Sequence, residues 1–508
     1  MTRTAMTFQG KLMKLLSLGI LATGALLATC MATAAVPGIT PVADATSGAL
    51  SIGLTASADY SSQPDGATIY SWGYGCTSAT TSTVQGFTGG KGPAARCPLM
   101  QIPGPTLILT EGTTVSVTLT NALPLAAGNT SIIFTGLDVT TSGGASGLRV
   151  GEATHVSSVT YTFTAKKPGT YAYYSGSQSD LQIEMGLYGA VVVVPATAPT
   201  ACTSKGAFAL ASAAYDNNAT CYDREFLFQF AEMDSFVHDQ VLTQVKACDA
   251  LKTTAVPNPA CPQVTATMEP YRANYFLING RSMPDLMDTP FAAAYPHQPY
   301  NGNPQIHPGE KLLMRVIGQG RYQHPFHFHG NHARVLGRDG NLLVTDVTPT
   351  ATSSLAGPLL FTIPTVSGQS VDAIFTWTGK GLNWDVYNHT VGDGSTCTPD
   401  ANGFHSVTTD PNYGEWCADH NKPIPVTPPD PQIVANGQWY GGTPYIGLNF
   451  FNPVNLPPGT LNQNPGAGYA YMWHSHNERE ITTNDIFPGG MMMMLIVDPP
   501  KWFIDETL

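Results

Sequence analysis

The sequence contains little charge and no basic segment. Asp, Glu, Lys and Arg make up 11% of the 508 residues, and 35 acidic residues outnumber 23 basic ones, which gives a formal net charge of −12. A surface that binds nucleic acid or anionic lipid needs a patch of positive charge. The composition therefore predicts no nucleic-acid partner and no electrostatic association with membranes.

The sequence also lacks a long apolar run after its N-terminal segment, so we expect no membrane span. The N-terminal segment contains Lys11 and Lys14, an apolar run that begins at Leu15, and the small residues Ala32-Thr33-Ala34. This order is typical of a secretory signal peptide over residues 1–35. A lipoprotein signal that ends at Cys30 is the second interpretation. Either signal predicts an exported protein, periplasmic or extracellular.

No unpaired cysteine is expected in the exported chain. Nine cysteines less Cys30 leaves an even number, and an even number in an exported protein is typical of disulfides. Neighbours along the chain are the simplest partners, although the sequence does not fix the connectivity. The expected pairs are Cys76–Cys97, Cys202–Cys221, Cys248–Cys261 and Cys397–Cys417. If all of them are bridged, no thiolate remains as a metal ligand.

Glycine (51) and proline (40) are abundant, and short segments alternate apolar and polar residues. Such alternation between frequent turns is typical of β-strands. Segments of the first half also recur in the second: residues 169–176 resemble 468–476, and residues 186–194 resemble 489–497. A repeat at this scale predicts two copies of one fold.

We therefore predict an all-β protein with two β-sandwich domains, at residues 45–196 and 222–500. A linker region at 197–221 joins them. The second domain contains a long insertion at 383–467, which is rich in Pro, Gly and Asn. A segment of this length is too long for a plain loop, so we expect it to form a small structure of its own or a lid.

Histidines are concentrated in two short segments, His324-Pro-Phe-His327-Phe-His329-Gly330-Asn-His332 and Trp473-His474-Ser475-His476. Residues two apart on a strand point to the same face. Each segment therefore presents a pair of imidazoles, and the pairs converge if the two strands are neighbours. Imidazole suits copper, zinc, iron and nickel. The alternative is that these histidines are structural and hydrogen-bonded to the backbone.

Other residues near these segments have weaker expected roles. His324, Ser475 and either Glu480 or Glu478 form a separate, harder set of donors that tolerates Mn(II) or iron. We expect His332 to be a structural neighbour of the site. The run Met491–Met494 is expected to fill the core rather than to capture Cu(I).

The segments Gln101-Ile-Pro-Gly-Pro-Thr106 and His324 to Gly330 resemble the multicopper oxidases, the cupredoxin-based family of laccases and related metal oxidases. The resemblance covers most of residues 95–500 and implies two cupredoxin-like Greek-key domains, where three are commoner. It implies copper as the cofactor and His324 as a type 1 copper ligand. The ligands that it implies for the trinuclear cluster are His327, His329, His474 and His476. Two-domain members form trimers, so the resemblance also implies a homo-oligomer.

The sequence departs from the family pattern at both copper centres. Ser475 stands where the family has the type 1 cysteine, and Glu480 stands where it has a histidine. In the first half, Ile133-Phe134-Thr135-Gly136 replaces H-W-H-G and Tyr174-Ser175-Gly176 replaces H-S-H. Half of the cluster histidines are therefore missing, and neighbouring copies of the same chain cannot supply them.

Three interpretations remain open. The first is an exported protein that binds copper, or alternatively zinc or manganese, without four-copper laccase chemistry. The second is an oxidoreductase of the family that oxidises Mn(II) or Cu(I). The third is an extracellular scaffold without metal. The candidate metal ligands are His324, His327, His329, His474, His476 and Glu480.

Overall fold

The computed structural model describes residues 37–44, 47–77, 97–202, 212–253, 256–257, 259–425, 468–500, 502 and 504. The predicted signal peptide, including Cys30, lies outside the described residues, and so does the part of the insertion from residue 426 to 467. Within the described ranges, the helices are all too short or too polar to cross a membrane.

Ten strands and one short helix, α1, form the first half. Their bounds are β1 Val42–Ala43, β2 Leu50–Ser62, β3 Thr68–Cys76, β4 Leu107–Thr110, β5 Thr114–Asn121, β6 Ile133–Phe134, β7 Thr140–Gly143, β8 Ser158–Thr164, β9 Gly169–Tyr174, α1 Ser179–Glu184 and β10 Tyr188–Val194. Sheet 1 has the order β1-β2-β5-β8-β7, with β3 paired to β2, and sheet 2 has the order β4-β10-β9-β6. Alternate residues of β5 (Val115, Val117 and Leu119) are buried in the core between them.

Fourteen strands and the longer helix α2 form the second half. Their bounds are β11 Ser212–Ala213, β12 Cys221–Tyr222, β13 Arg224–Met233, α2 Ser235–Asp249, β14 Tyr275–Ile278, β15 Gln305–Ile306, β16 Lys311–Gly318, β17 His324–Phe328, β18 Ala333–Arg338, β19 Asn341–Leu342, β20 Leu359–Leu360, β21 Thr362–Thr365, β22 Ser370–Thr376, β23 Tyr469–Ser475 and β24 Met492–Val497. Sheet 3 has the order β14-β13-β16-β22-β18-β19, with β20 paired to β18. Sheet 4 has the order β15-β24-β23-β17-β21, and β11 pairs with β12.

Both halves follow the same strand plan. In sheet 1, β2 runs parallel to β5, which is antiparallel to β8, and in sheet 3 the same holds for β13, β16 and β22. In sheet 2, β4 runs parallel to β10, which is antiparallel to β9, and sheet 4 repeats this with β15, β24 and β23. The prediction of an all-β fold with two cupredoxin-like Greek-key β-sandwich domains is confirmed. The exact domain bounds stay predictions.

All four expected disulfides are present, each between cysteines that are neighbours along the chain. One of them, Cys248–Cys261, anchors the end of α2. This helix packs the side chains of Val237, Val241 and Val245 into the core of the first half. The pairing prediction is therefore confirmed, and no described cysteine outside these bridges is left as a thiolate ligand.

The described part of the insertion begins against the core of the second half. Leu382 and Trp384 are buried in that core, and the Trp384 indole N–H donates to the Tyr469 hydroxyl at 3.1 Å. Beyond this anchor, the segment up to residue 425 consists of turns with a short 3₁₀ helix at Cys417–Asp419. The expectation of a small structure or a lid over residues 383–467 stays a prediction.

The two halves are joined by a buried charged network between β9 of sheet 2 and β16 and β22 of sheet 3. The Arg315 guanidinium is completely buried and donates to Glu225 at 2.9 Å and to the Thr170 hydroxyl at 3.0 Å. Asp372 accepts from the hydroxyls of Thr170 (2.6 Å) and Tyr215 (2.7 Å). Because each carboxylate has partners, the network holds buried charge without leaving it unpaired.

We predict that Arg315→Met lowers the free energy of unfolding by about 3–5 kcal/mol, because it leaves Glu225 and Asp372 buried without their cation. Urea denaturation followed by tryptophan fluorescence measures the change. Lys166→Ala is the matched control, since the Lys166–Asp138 pair is exposed and its loss should leave the midpoint unchanged. An Arg315→Met protein as stable as the parent would contradict the role of this network.

Candidate metal centre

The two histidine segments lie on neighbouring strands of sheet 4. Strand β17 pairs antiparallel to β23, so that His327 is directly opposite His474 and Phe326 is opposite Ser475. Alternation along the strands turns Phe326 and Trp473 into the core. The opposite face of the same two strands therefore carries His327 and His474.

Four imidazoles meet on this face. The ring centroid of His327 lies 4.9 Å from that of His329, 5.4 Å from that of His474 and 4.9 Å from that of His476. One ring nitrogen from each of His327, His329 and His474 lies within 4.8 Å of the others. The structure thus brings together the two predicted imidazole pairs, with His476 at the exposed edge. We call these four residues the imidazole group.

Hydrogen bonds orient two of these rings. The Nδ1 atom of His474 lies 2.7 Å from the carbonyl oxygen of Ser475, and the Nδ1 atom of His327 lies 2.8 Å from the Thr362 hydroxyl. A carbonyl oxygen only accepts, so Nδ1 of His474 carries the proton and its Nε2 atom keeps a lone pair. In a metal-binding histidine, the ring nitrogen that does not bind the metal is commonly held by such a hydrogen bond.

Two rings of the imidazole group, those of His327 and His474, are held in the neutral form. Burial, together with the neighbouring imidazoles of His329, His474 and His476, lowers the pKa of His327 to about 4. Burial also lowers the pKa of His474. Metal ions bind the neutral form of imidazole. His327 and His474 therefore offer lone pairs without first having to lose protons.

His324 lies on the other face of β17 and is part of a buried ion pair. Its Nε2 atom is 2.9 Å from a Glu232 carboxylate oxygen, and its Nδ1 atom is 2.9 Å from a Glu480 oxygen. Burial alone lowers the pKa of His324, but the hydrogen bonds to both carboxylates outweigh it and raise the pKa to about 9. Both ring nitrogens of the charged His324 then donate to carboxylates. The structure therefore places His324 and Glu480 next to each other, on the opposite face of β17 from the imidazole group.

Ser475 belongs to this ion-pair network as well. Its hydroxyl donates to the Glu480 carboxylate at 2.5 Å, and the Asn477 amide donates to the other Glu480 oxygen at 2.9 Å. Glu232 accepts two backbone N–H groups, those of Arg321 and Tyr322. A type 1 copper needs a thiolate and two imidazole lone pairs, and the described residues here supply neither. They do not fit that centre.

The first half does not fit its share of a trinuclear cluster either. Ile133 is directly opposite Tyr174 in sheet 2, just as His327 is opposite His474 in sheet 4. Tyr174 packs against Leu227 and Ile317 of the second half. The matching positions therefore hold an isoleucine and a tyrosine, which offer no imidazole lone pair.

Two expectations about neighbouring residues agree with the structure. His332 is exposed and contacts the Phe361 ring, with ring centroids 5.1 Å apart, and it is outside the group of converging nitrogens. Met491 and Met493 lie in the core of the second half. Sequence reasoning missed Glu232 and Thr362. A signal for Glu232 exists, since it is an acidic residue within the buried, mostly apolar strand β13.

We predict that the His324 ion pair makes the free energy of unfolding decrease as the pH becomes alkaline. An unfolded histidine titrates near ~6.5, and the folded pKa is about 9. The contribution is therefore complete below pH ~6.5 and is lost as the pH rises through about 9, a change on the order of 3 kcal/mol. Urea denaturation between pH 6 and 10 measures it. Glu480→Gln should flatten this slope, and an unchanged slope in that variant would contradict the assignment.

Comparison with known proteins finds a sequence similarity in the first half of the chain. A sequence model of the family described as Multicopper oxidase matches residues 99–198. No curated protein matches the sequence. Among solved structures, a blue copper oxidase from Nitrosomonas europaea is 14% identical, with a TM-score of 0.43, and the match covers 88% of this chain and 85% of that one.

Two further solved structures are similar at comparable identity. A copper nitrite reductase from Nitrosomonas europaea is 18% identical, with a TM-score of 0.39, over 64% of this chain and 84% of that one. A laccase from Botrytis aclada is 17% identical, with a TM-score of 0.35, over 67% of this chain and 47% of that one. Residues 99–198 of this chain therefore resemble the multicopper oxidase family in sequence.

Proposed function

We propose that this protein is an exported copper-binding protein that holds the ion with His327, His329, His474 and His476. The observation that carries the proposal is the convergence of the imidazole nitrogens of His327, His329 and His474 on one face of sheet 4. Imidazole is a good ligand for copper, and the converging group contains no carboxylate that favours magnesium or calcium. The four disulfides are consistent with an oxidising compartment, which supports export.

The residues of this chain would position a copper ion but would not connect it to further copper centres. Bound copper supplies one-electron redox chemistry. The Thr362 hydroxyl and the Ser475 carbonyl orient the rings, and the exposed side chain of His476 gives access from solvent. Ion exchange and metal handling suit such a site better than four-electron reduction of dioxygen.

The four-copper chemistry of laccases is not part of this proposal. It requires electrons to enter at type 1 copper and to cross a cysteine to the trinuclear cluster. Here Ser475 hydrogen-bonds to Glu480 at the cysteine position, and Ile133 and Tyr174 occupy cluster positions. A protein that shares the fold but lacks the copper ligands is not expected to catalyse the same reaction.

Copper loading tests the proposal. The protein is loaded with Cu(II), desalted and analysed by mass spectrometry, visible absorption and electron paramagnetic resonance. We expect His474→Ala/His476→Ala to hold one copper equivalent fewer than the parent, since the remaining imidazoles bind too weakly to survive desalting. His332→Ala is the matched control, because it changes a histidine of the same region outside the group, and it should keep the parent's copper content.

Two results would overturn the proposal. Three or four coppers with an intense blue band in the parent would mean that laccase-type centres form after all. Equal copper content in the parent and in His474→Ala/His476→Ala would remove the imidazole group as the site. Turnover of Mn(II) or Cu(I) by the loaded protein would instead favour the alternative function, a metal oxidase.

We further predict that Ser475→Cys alone does not create a blue copper centre. The new thiolate would lie beside His324, whose nitrogens are both bonded to carboxylates, and Glu480 stands where a second imidazole is needed. Visible absorption of the copper-loaded variant provides the measurement. An intense blue band in this single variant would show that His324 can release its carboxylate partners.

A further inference from the structure

A second group of metal-ligating side chains lies in the described part of the insertion, on turns outside the four main sheets. It consists of Asp385, His389, Glu415 and His420, and one ligand atom from each lies within 4.8 Å of the others. The Nδ1 atom of His389 is 3.1 Å from an Asp385 oxygen, and the Nδ1 atom of His420 is 2.9 Å from a Glu415 oxygen. We call these residues the insertion group.

The carboxylates of the insertion group are buried and accept hydrogen bonds from residues outside the group. The Asp385 side chain is 1% exposed and the Glu415 side chain 3%. Asp385 accepts the backbone N–H groups of Tyr387 and Asn421, both at 2.8 Å. The Asn412 amide donates to the outer oxygen of Glu415 at 2.5 Å. Such outer hydrogen bonds are the support that fixes carboxylate ligands around a metal.

Covalent and packing contacts fix the two chain segments that carry the group. The disulfide between Cys397 and Cys417 closes the loop between them. Trp384, next to Asp385, is anchored in the core of the second half. Asp385 and Glu415 also line a pocket together with Tyr387 and Trp416. The group is therefore assembled in the folded protein.

We propose that Asp385, His389, Glu415 and His420 bind one divalent first-row transition-metal ion. Two imidazole nitrogens and two carboxylate oxygens are a donor set of the kind that binds zinc, iron and manganese. Two carboxylates also balance the charge of a divalent ion, which makes the buried site neutral. This site differs from the imidazole group in donors and in location, and the inference does not depend on the proposed copper function.

The competing state is a pair of imidazolium–carboxylate ion pairs formed by the same four side chains. Both states satisfy the buried carboxylates, and they differ in whether a metal ion is held. The four side chains form one cluster rather than two separate pairs, since His389 Nδ1 also lies 3.5 Å from Glu415 and His420 Nδ1 lies 3.8 Å from Asp385. All four ligand atoms within 4.8 Å of one another is the arrangement that a single bound ion requires. The His389 and His420 rings lie only 4.9 Å apart.

Zinc content separates the two states. The full-length protein is incubated with Zn(II), desalted and analysed by mass spectrometry, next to His389→Ala/His420→Ala and Asp385→Asn/Glu415→Gln. We expect both variants to hold one zinc equivalent fewer than the parent. The conservative second variant keeps the volume and much of the hydrogen bonding, so that a loss there cannot be attributed to misfolding. Circular dichroism checks the fold of each variant.

The control is His474→Ala/His476→Ala, which changes the imidazole group and should keep the zinc equivalent that the insertion group holds. Equal zinc content in the parent and in both insertion-group variants, with native circular dichroism, would overturn the inference and leave the ion pairs as the correct state. The copper test measures only the loss caused by changing the imidazole group. Failure of the copper proposal therefore does not change the zinc content expected for the insertion-group variants.

Discussion

The antiparallel pairing of β17 with β23 is the constraint on which the chemistry of the second half depends. It sets His327 opposite His474 and Phe326 opposite Ser475. Because side chains alternate across a sheet, one register produces two different environments. The outer face gathers four imidazoles, and the inner face holds a charged histidine between carboxylates. A slip of one residue would exchange the two faces.

The inner face is held together by a buried ion pair. The charged His324 side chain pairs with two carboxylates, Glu232 and Glu480. These contacts join β13, β17 and the segment after β23 through one positively charged centre. Removing either carboxylate would leave buried charge uncompensated. The matching positions of the first half carry Ile133 and Tyr174, and Tyr174 packs against the second half.

Local patterns in the sequence predicted the fold class, the repeat, the disulfide pairs and the convergence of the two H-x-H segments. Alternation and spacing are properties of a few consecutive residues, so they can be detected in the sequence. Glu232 could not be matched to His324 in this way, because 92 residues separate them and only the packing of sheet 3 on sheet 4 brings them together. Asp385 and His420 were missed because their segments have no periodic structure from which a face can be predicted.

The protein thus combines an imidazole group on a regular sheet with a mixed group in an irregular insertion, and the first of these defines its proposed function. X-ray absorption spectroscopy at the copper edge, on protein loaded with one equivalent of Cu(II), tests that assignment most directly. We predict a first shell of imidazole nitrogens without sulfur, and a weaker multiple-scattering contribution from imidazole in His474→Ala/His476→Ala. A sulfur ligand, or a spectrum unchanged in that variant, would contradict it.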